Sequence, residues 1–217
     1  MGLLGFQHSL KNVPKNKTFL VDTCFIINSL NSNNIEYKVR NKFAGLVGLA
    51  YNVIIRKELL HLIRYQLVAD AIENKKVFVS QSLISMWKMK PQHERLKGLC
   101  DGGYAEIFRK ILGQKGEKLE ESMSEALTGF SYYSGHKNSN SNDWQNAHSI
   151  MAMYGLDSSD AMILNFAIGD ATISGIITSD ADFRVCGDVK SKNPFDIVLP
   201  DKVLLRAVNK EWRGKLS

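Results

Sequence analysis

Short apolar runs that end abruptly in polar or acidic residues constrain the fold of this chain more than any other feature of its sequence. The run "FLV" at 19–21 is followed at once by Asp22, and the run "GIITS" at 175–179 is followed by Asp180. A third run, "NVII" at 52–55, leads directly into a long amphipathic stretch. Because such strand-like runs alternate with segments of helical periodicity, the sequence predicts an α/β fold with a parallel central sheet flanked by helices.

The N-terminal half divides into segments by periodicity and by breaks. Residues 18–22 are predicted to form a strand, and a helix is predicted to start within 23–30. A second strand is predicted over 52–55, and residues 76–80 are predicted to form either a strand or part of a turn. The stretch after the second strand predicts a helix with one apolar face, made of Leu59, Leu60, Leu62, Ile63, Leu67, Ala71 and Ile72.

The C-terminal half has clearer signals for where helices and loops begin and end. Residues 134–143, "SGHKNSNSND", have the composition of an exposed loop, and Asp143 is a candidate N-cap for a helix through Ala152. Asp157 or Ser158 is the candidate N-cap of a further helix that ends at Gly169. Strands are then expected at Ile176 and Ile177 and over 195–200.

These segments suggest one main domain with extensions. We expect a lead-in over 1–17, a domain over 18–200 and a basic tail over 201–217. Residues 91–130 have a largely helical pattern.

Composition narrows the class of protein and its partners. The chain has 217 residues with 44% hydrophobic and 23% charged, which is ordinary for a globular protein with a core. A net charge of +6 favours a polyanionic partner such as RNA. Three cysteines without CxxC spacing indicate a reducing compartment and argue against disulfides or a zinc site. No signal peptide and no run of about 18 apolar residues is present, so we expect a cytoplasmic protein with no membrane partner.

Acidic residues cluster at the predicted strand ends and helix starts. In open α/β sheets, sites form beyond the carboxyl ends of the strands, so these carboxylates are expected to converge on one edge. Together they would repel one another unless a cation or a proton is present, and carboxylate oxygens without His or Cys select Mg²⁺ or Mn²⁺. The residues concerned are Asp22, Glu58, Asp160, Asp180 and Asp182.

Plainer explanations exist for three of these acids. Glu58 and Asp160 could each complement the positive end of a helix, worth about 0.3–1 kcal/mol. Asp182 could be a turn residue. Asp22 and Asp180 are different, since each directly follows an apolar strand, where a solitary buried carboxylate is costly.

Four stretches, in this order, resemble the motifs of the PIN-domain ribonucleases, the fold of the VapC-type toxins. They are "FLVDTCFII", "IIRKELLHL", "LDSSDAMILNFA" and "GIITSDADF". The resemblance implies that the metal ligands are Asp22, Glu58, Asp160 and Asp180, with Asp182 at a further acidic position and Thr178 or Ser179 as the supporting hydroxyl group.

The same resemblance implies an activity and partners. It implies a Mg²⁺- or Mn²⁺-dependent endoribonuclease that leaves a 3′-hydroxyl and a 5′-phosphate, an antitoxin protein as a candidate partner, and a homodimer. The chain departs from a minimal domain of this kind in the long separation between Glu58 and Asp160. Compared with such a domain, the region of about 80–145 is therefore expected to be an enlarged helical insertion within the domain.

Two other functions compete with this hypothesis. One is a non-catalytic PIN-like module that binds RNA or a protein, which would be expected to lack some of the acids. The other is a phosphatase of the haloacid dehalogenase type, because "DTC" follows a strand. That chemistry usually needs a second Asp two residues after the first, and position 24 is Cys.

Overall fold

The computed structural model describes residues 17–45, 47–73, 105–134, 141–186 and 196–200. Within these ranges the strands are β1 (Thr18–Val21), β2 (Gly48–Tyr51), β3 (Ser131–Tyr132), β4 (Ile173–Ile177) and β5 (Asp196–Val198). The helices are α1 (Thr23–Asn28), α2 (Ile35–Phe43), α3 (Val53–Glu73), α4 (Ala105–Leu127), α5 (Ser141–Tyr154) and α6 (Ser158–Gly169), and a 3-10 helix spans Ala181–Cys186.

The five strands form one parallel sheet in the order β3-β2-β1-β4-β5. The side chains of Phe19, Leu20 and Val21 in β1 are fully buried. Every residue of β4 is also buried, with less than a tenth of its surface exposed. Because successive side chains of a strand point to opposite faces, both faces of the central strands must be covered. The expected α/β class, with a parallel sheet flanked by helices, is confirmed.

Contacts along the chain divide it into two units. The first contains the described residues up to Lys57 and from Leu127 onward, and it holds the whole sheet. The second contains the described residues between Glu58 and Ala126. Helix α3 therefore begins in the first unit and continues into the second, where Leu59, Val68 and Ala71 are fully buried.

Helix α6 shows how the core of the first unit is built. Its residues Ile163 and Leu164 are fully buried, and the helix packs against both β4 and α5. A helix that is apolar around most of its circumference can be stable only when neighbours cover it on several sides. As expected from the sequence, Asp157 caps this helix through a 2.9 Å bond from the backbone N–H of Asp160, and the helix ends at Gly169.

The expected strand at 52–55 is wrong. The second strand is β2, at Gly48–Tyr51, and residues from Val53 on are helical. The side-chain oxygen of Asn52 accepts hydrogen bonds from the backbone N–H groups of Ile54 (3.1 Å) and Ile55 (3.0 Å). This capping outweighs the weak preference of the β-branched residues for a strand.

Two further expectations fail in the C-terminal half. Helix α5 begins at Ser141, so Asp143 lies inside the helix rather than capping it, and the loop expected over 134–143 ends earlier. The described part of the region expected to be a helical insertion contains α4, the two-residue strand β3 and the start of α5. The predictions for the lead-in, for 76–80 and for the basic tail fall outside the described residues. Among the described helices, none is long and apolar enough to cross a bilayer.

Arg40 joins helix α2 to the turn that precedes β3. One terminal nitrogen of its guanidinium group donates to the hydroxyl oxygen of Ser29 (3.3 Å), and the other donates to the carbonyl oxygen of Thr128. The guanidinium carbon lies 4.6 Å from the centroid of the Phe130 ring. Partial burial lowers the pKa of Arg40, although the nearby Tyr37 acts in the opposite direction.

We expect Arg40→Met to lower the free energy of unfolding by about 1–3 kcal/mol, because it removes two hydrogen bonds and a cation–π contact while keeping an apolar stem. Urea denaturation measures the change. Lys38→Met, at an exposed position of the same helix, is the control and should change stability by at most about 0.5 kcal/mol. Equal effects of the two substitutions would contradict this role of Arg40.

Tyr133 ties the end of β3 to the turn between α6 and β4. Its hydroxyl group donates to a carboxylate oxygen of Asp170 and lies 2.8 Å from the hydroxyl oxygen of Thr172. Its ring meets the ring of Phe166 edge to face at 6.3 Å. Burial, and then the hydrogen bond to Asp170, raise the pKa of Tyr133 above its ordinary value of 10.0.

A raised pKa in the folded state means that neutral Tyr133 stabilises the fold. We therefore expect the stability lost in Tyr133→Phe to be constant below about pH 10 and to vanish as the pH rises through the higher folded pKa. Ultraviolet absorbance titration should show one late-ionising tyrosine in the wild type that is missing from Tyr133→Phe. The exposed neighbour Tyr132, changed to Phe, is the control, and its loss should leave that late step in place.

Candidate functional site

Three polar residues lie side by side where the central strands end. Leu20 pairs with Ala50, and Val21 pairs with Ile177. Continued past the strand ends, this register sets three residues at the same level: Asn52 after β2, Asp22 after β1 and Thr178 after β4. The backbone N–H of Asp22 donates to the carbonyl of Ile177 at 2.8 Å, which continues the ladder beyond β1. We call Asn52, Asp22 and Thr178 the edge row.

The edge row lies at the point where the order of the strands reverses. From β1 the chain continues to β2 and β3 on one side, and β4 and β5 are added on the other side. Ligands of open parallel α/β sheets bind outside the carboxyl ends of the strands at such a switch point. The topology therefore makes the edge row the first place to look for a site.

Asp22 is a buried carboxylate, and each of its two oxygens accepts a hydrogen bond. Its side chain is 2% exposed, and it caps helix α1 from an extended backbone conformation. One carboxylate oxygen accepts the backbone N–H of Thr23 at 2.6 Å, and the other accepts the hydroxyl of Thr178 at 2.9 Å. Such bonds offset the cost of removing a charge from water.

Thr178 connects Asp22 to Asp180. Its hydroxyl group donates to Asp22 and accepts the backbone N–H of Asp180 at 2.9 Å. Asp180 in turn accepts the backbone N–H of Asp182 at 2.8 Å, where the 3-10 helix begins. Asp180 is partly exposed and Asp182 is exposed, so the carboxylates run from the core toward solvent.

Glu36 is a carboxylate of this region that the sequence did not single out. It lies in the first turn of α2, and one of its oxygens accepts the hydroxyl of Ser179 at 2.8 Å and the amide of Asn28 at 3.5 Å. Two successive residues after β4, Thr178 and Ser179, thus each donate a hydroxyl to a carboxylate. No motif surrounds Glu36 in the sequence, and only the fold brings it to Ser179.

Asp160 and Glu58 are placed differently from the edge row. Asp160 is partly exposed in the first turn of α6. Glu58 is in the second turn of α3, because that helix starts at Val53, and it is the first residue of the second unit. The first turn of α3 contains no acid, so the expected position of Glu58 in that turn is wrong.

Hydrogen bonds through one threonine link two of the five predicted acids, Asp22 and Asp180. Among the described residues, no group of three or more His, Cys, Asp or Glu side chains is arranged to hold a metal ion. The hydroxyl group of Thr178 nevertheless connects the carboxylate of Asp22 with the backbone N–H of Asp180, a second acid of the same region. Mg²⁺ is commonly held by one or two carboxylates together with water and substrate phosphate, so this donor set fits Mg²⁺ without a protein cage.

Comparisons of the chain with known proteins found no match. No protein-family model matches the sequence, no curated protein matches it, and no solved structure matches the chain. Inference about function therefore depends on the edge row itself and on the motifs of the sequence.

We expect Thr178→Val to destabilise the protein by about 2 kcal/mol more than Thr178→Ser, because valine keeps the shape but leaves a buried carboxylate oxygen and a backbone N–H without the hydroxyl. Serine keeps the hydroxyl and loses only a methyl group. Urea denaturation of both variants gives the difference. Equal losses in the two variants would show that the hydroxyl group does not hold Asp22 and Asp180.

Proposed function

We propose that the protein is a Mg²⁺- or Mn²⁺-dependent endoribonuclease with a PIN-like domain. Three observations support the proposal. The sheet is parallel and reverses its strand order at β1, the order of the acidic motifs resembles that of the family, and Asp22 is held at the reversal point.

The observation that carries the proposal is the connection from Asp22 through Thr178 to Asp180. A cap for α1 needs only a small polar side chain, and Asn or Ser would serve as well as Asp. A structural role therefore does not explain a charged group that is 2% exposed. A site that must hold a carboxylate in one orientation does explain it.

The proposed roles follow from the positions of the residues. Asp22 and Asp180 hold the cation, and Thr178 fixes the spacing between them. Glu58, Asp160 and Asp182 are proposed as additional acidic ligands, as the resemblance implies. When bound, the cation stabilises the charge that develops on the phosphoryl oxygens during phosphodiester hydrolysis.

The charge of the chain suits an RNA substrate. A net charge of +6 draws a polyanionic backbone toward the protein and does so regardless of base sequence. Helix α2 carries Lys38 and Lys42, and Arg184 is exposed on the 3-10 helix beside Asp182. The toxin role, an antitoxin partner, a homodimer and a cytoplasmic location are proposed from the family resemblance and composition alone.

We expect Asp22→Asn and Asp180→Asn each to lower the rate of RNA cleavage by about 100-fold or more, equivalent to about 2.7 kcal/mol of barrier. Asparagine can still cap α1 with its amide oxygen, and its NH2 group can donate to the hydroxyl oxygen of Thr178, so the fold should persist. Cleavage is measured on total RNA with Mg²⁺ or Mn²⁺, and with a chelator added. Thermal denaturation of each variant checks the fold.

Glu121→Gln is the matched control, since it removes one carboxylate at an exposed position of α4. It should cleave RNA like the wild type. Full activity in Asp22→Asn or Asp180→Asn would contradict the proposal.

A second candidate function is a non-catalytic module that binds RNA or a protein. The absence of a three-ligand cluster among the described residues favours it. Filter binding separates the two functions. Retention of RNA that a chelator does not alter, with no cleavage by the wild type under any divalent cation, would favour the binding module.

A further inference from the structure

The edge row contains one polar group that has no partner. Asn52 is fully buried. Among the buried side-chain nitrogen and oxygen atoms of the described residues, its side-chain nitrogen is the only one without a hydrogen-bond partner. A buried donor left unpaired costs about as much free energy as a lost hydrogen bond. Such a group therefore requires an explanation.

The orientation of the Asn52 amide is defined by the start of α3. Its oxygen accepts two backbone N–H groups, from Ile54 and Ile55, and a nitrogen at that place could not accept them. The side-chain nitrogen must therefore lie on the side of the amide away from these two N–H groups. Capping uses the oxygen and leaves the nitrogen available.

The next residue across the sheet is Asp22. The pairing of Leu20 with Ala50, continued by two residues, sets Asn52 opposite Asp22 just past the ends of β2 and β1, and adjacent parallel strands are about 4.8 Å apart. In a parallel pair, side chains at the same level lie on the same face, so an amide and a carboxylate there are within reach of each other. The described state uses the carboxylate oxygens of Asp22 for Thr23 and Thr178.

We propose that Asn52 is a positioning residue for Asp22: its free N–H donates to the Asp22 carboxylate when that carboxylate binds a divalent cation. The inference rests on the proposed function, because it gives Asn52 a role only if Asp22 is a ligand. Carboxylates that bind metals are in turn hydrogen-bonded, and loss of such a partner typically weakens metal binding by 10- to 100-fold. Asn52 carries the donor on the neighbouring strand.

This role has a consequence that a purely structural role does not. Asn52→Ser keeps a good helix cap and replaces the unpaired amide donor with a shorter hydroxyl group that reaches less far toward Asp22, so the stability without metal should be about unchanged. The affinity for Mn²⁺ should fall by about 10-fold. Asn52→Ala removes the cap as well, so it should show the same loss of affinity together with a lower melting temperature.

The test is calorimetric titration of the full-length protein with Mn²⁺, beside thermal denaturation without metal. Wild type, Asn52→Ser, Asn52→Ala and the control Asn34→Ser are compared, since Asn34 begins α2 without a side-chain capping bond. We expect wild type and Asn34→Ser to bind Mn²⁺ with equal affinity and both Asn52 variants to bind it about 10-fold more weakly.

Two outcomes would overturn the inference, and they are distinguishable. If the wild type binds Mn²⁺ and Asn52→Ser binds it equally well, Asn52 does not position Asp22, while the proposed function stands. If the wild type binds no Mn²⁺ and cleaves no RNA, the proposed function fails and the role of Asn52 fails with it.

Discussion

The hydroxyl group of Thr178 is the contact on which the candidate site depends. A threonine hydroxyl has one proton to donate, and here it is given to the buried carboxylate of Asp22. The oxygen then has lone pairs for the backbone N–H of Asp180. The direction of the hydrogen bonds is thereby fixed, from Asp180 to Thr178 to Asp22. This connection ties the backbone of the partly exposed Asp180 to the buried carboxylate of Asp22.

The sheet supplies the other half of the arrangement. Strand β1 has β2 on one side and β4 on the other, so the ends of three strands meet beside Asp22. The side chains of β1 and β4 are buried on both faces, which makes this part of the sheet rigid. Polar residues just after such strands are held in fixed positions, as the ligands of a metal or phosphate site must be. The register of these strands also sets the buried Asn52 on one side of Asp22 and the buried Thr178 on the other.

Local signals in the sequence predicted several elements well. Strands β1 and β4 contain the short apolar segments Phe19–Val21 and Ile176–Ile177, and the cap of α6 at Asp157 is followed by the expected apolar face. These features depend on neighbours within a few residues, so they can be read from the sequence. Asp22 directly follows β1 and is buried, as expected, whereas Asp180 is partly exposed and lies three residues after the end of β4.

The misplaced elements depend on contacts between distant residues. Strand β2 has the sequence "GLAY", which has little strand preference of its own and is stabilised by pairing with β1. Strand β3 has only two residues and exists through its pairing with β2. The contact of Glu36 with Ser179 spans 143 positions, and the unpaired nitrogen of Asn52 becomes visible only once the cap of α3 is known. No local pattern could have indicated either feature.

The central claim is that Asp22 and Asp180 serve cation-dependent hydrolysis of RNA. The most direct test is to map the ends of the RNA fragments that the wild-type protein produces with Mg²⁺ or Mn²⁺. The account predicts fragments with a 5′-phosphate and a 3′-hydroxyl, and no fragments when a chelator is present. Fragments that end in a 2′,3′-cyclic phosphate, or cleavage that continues in the chelator, would contradict it.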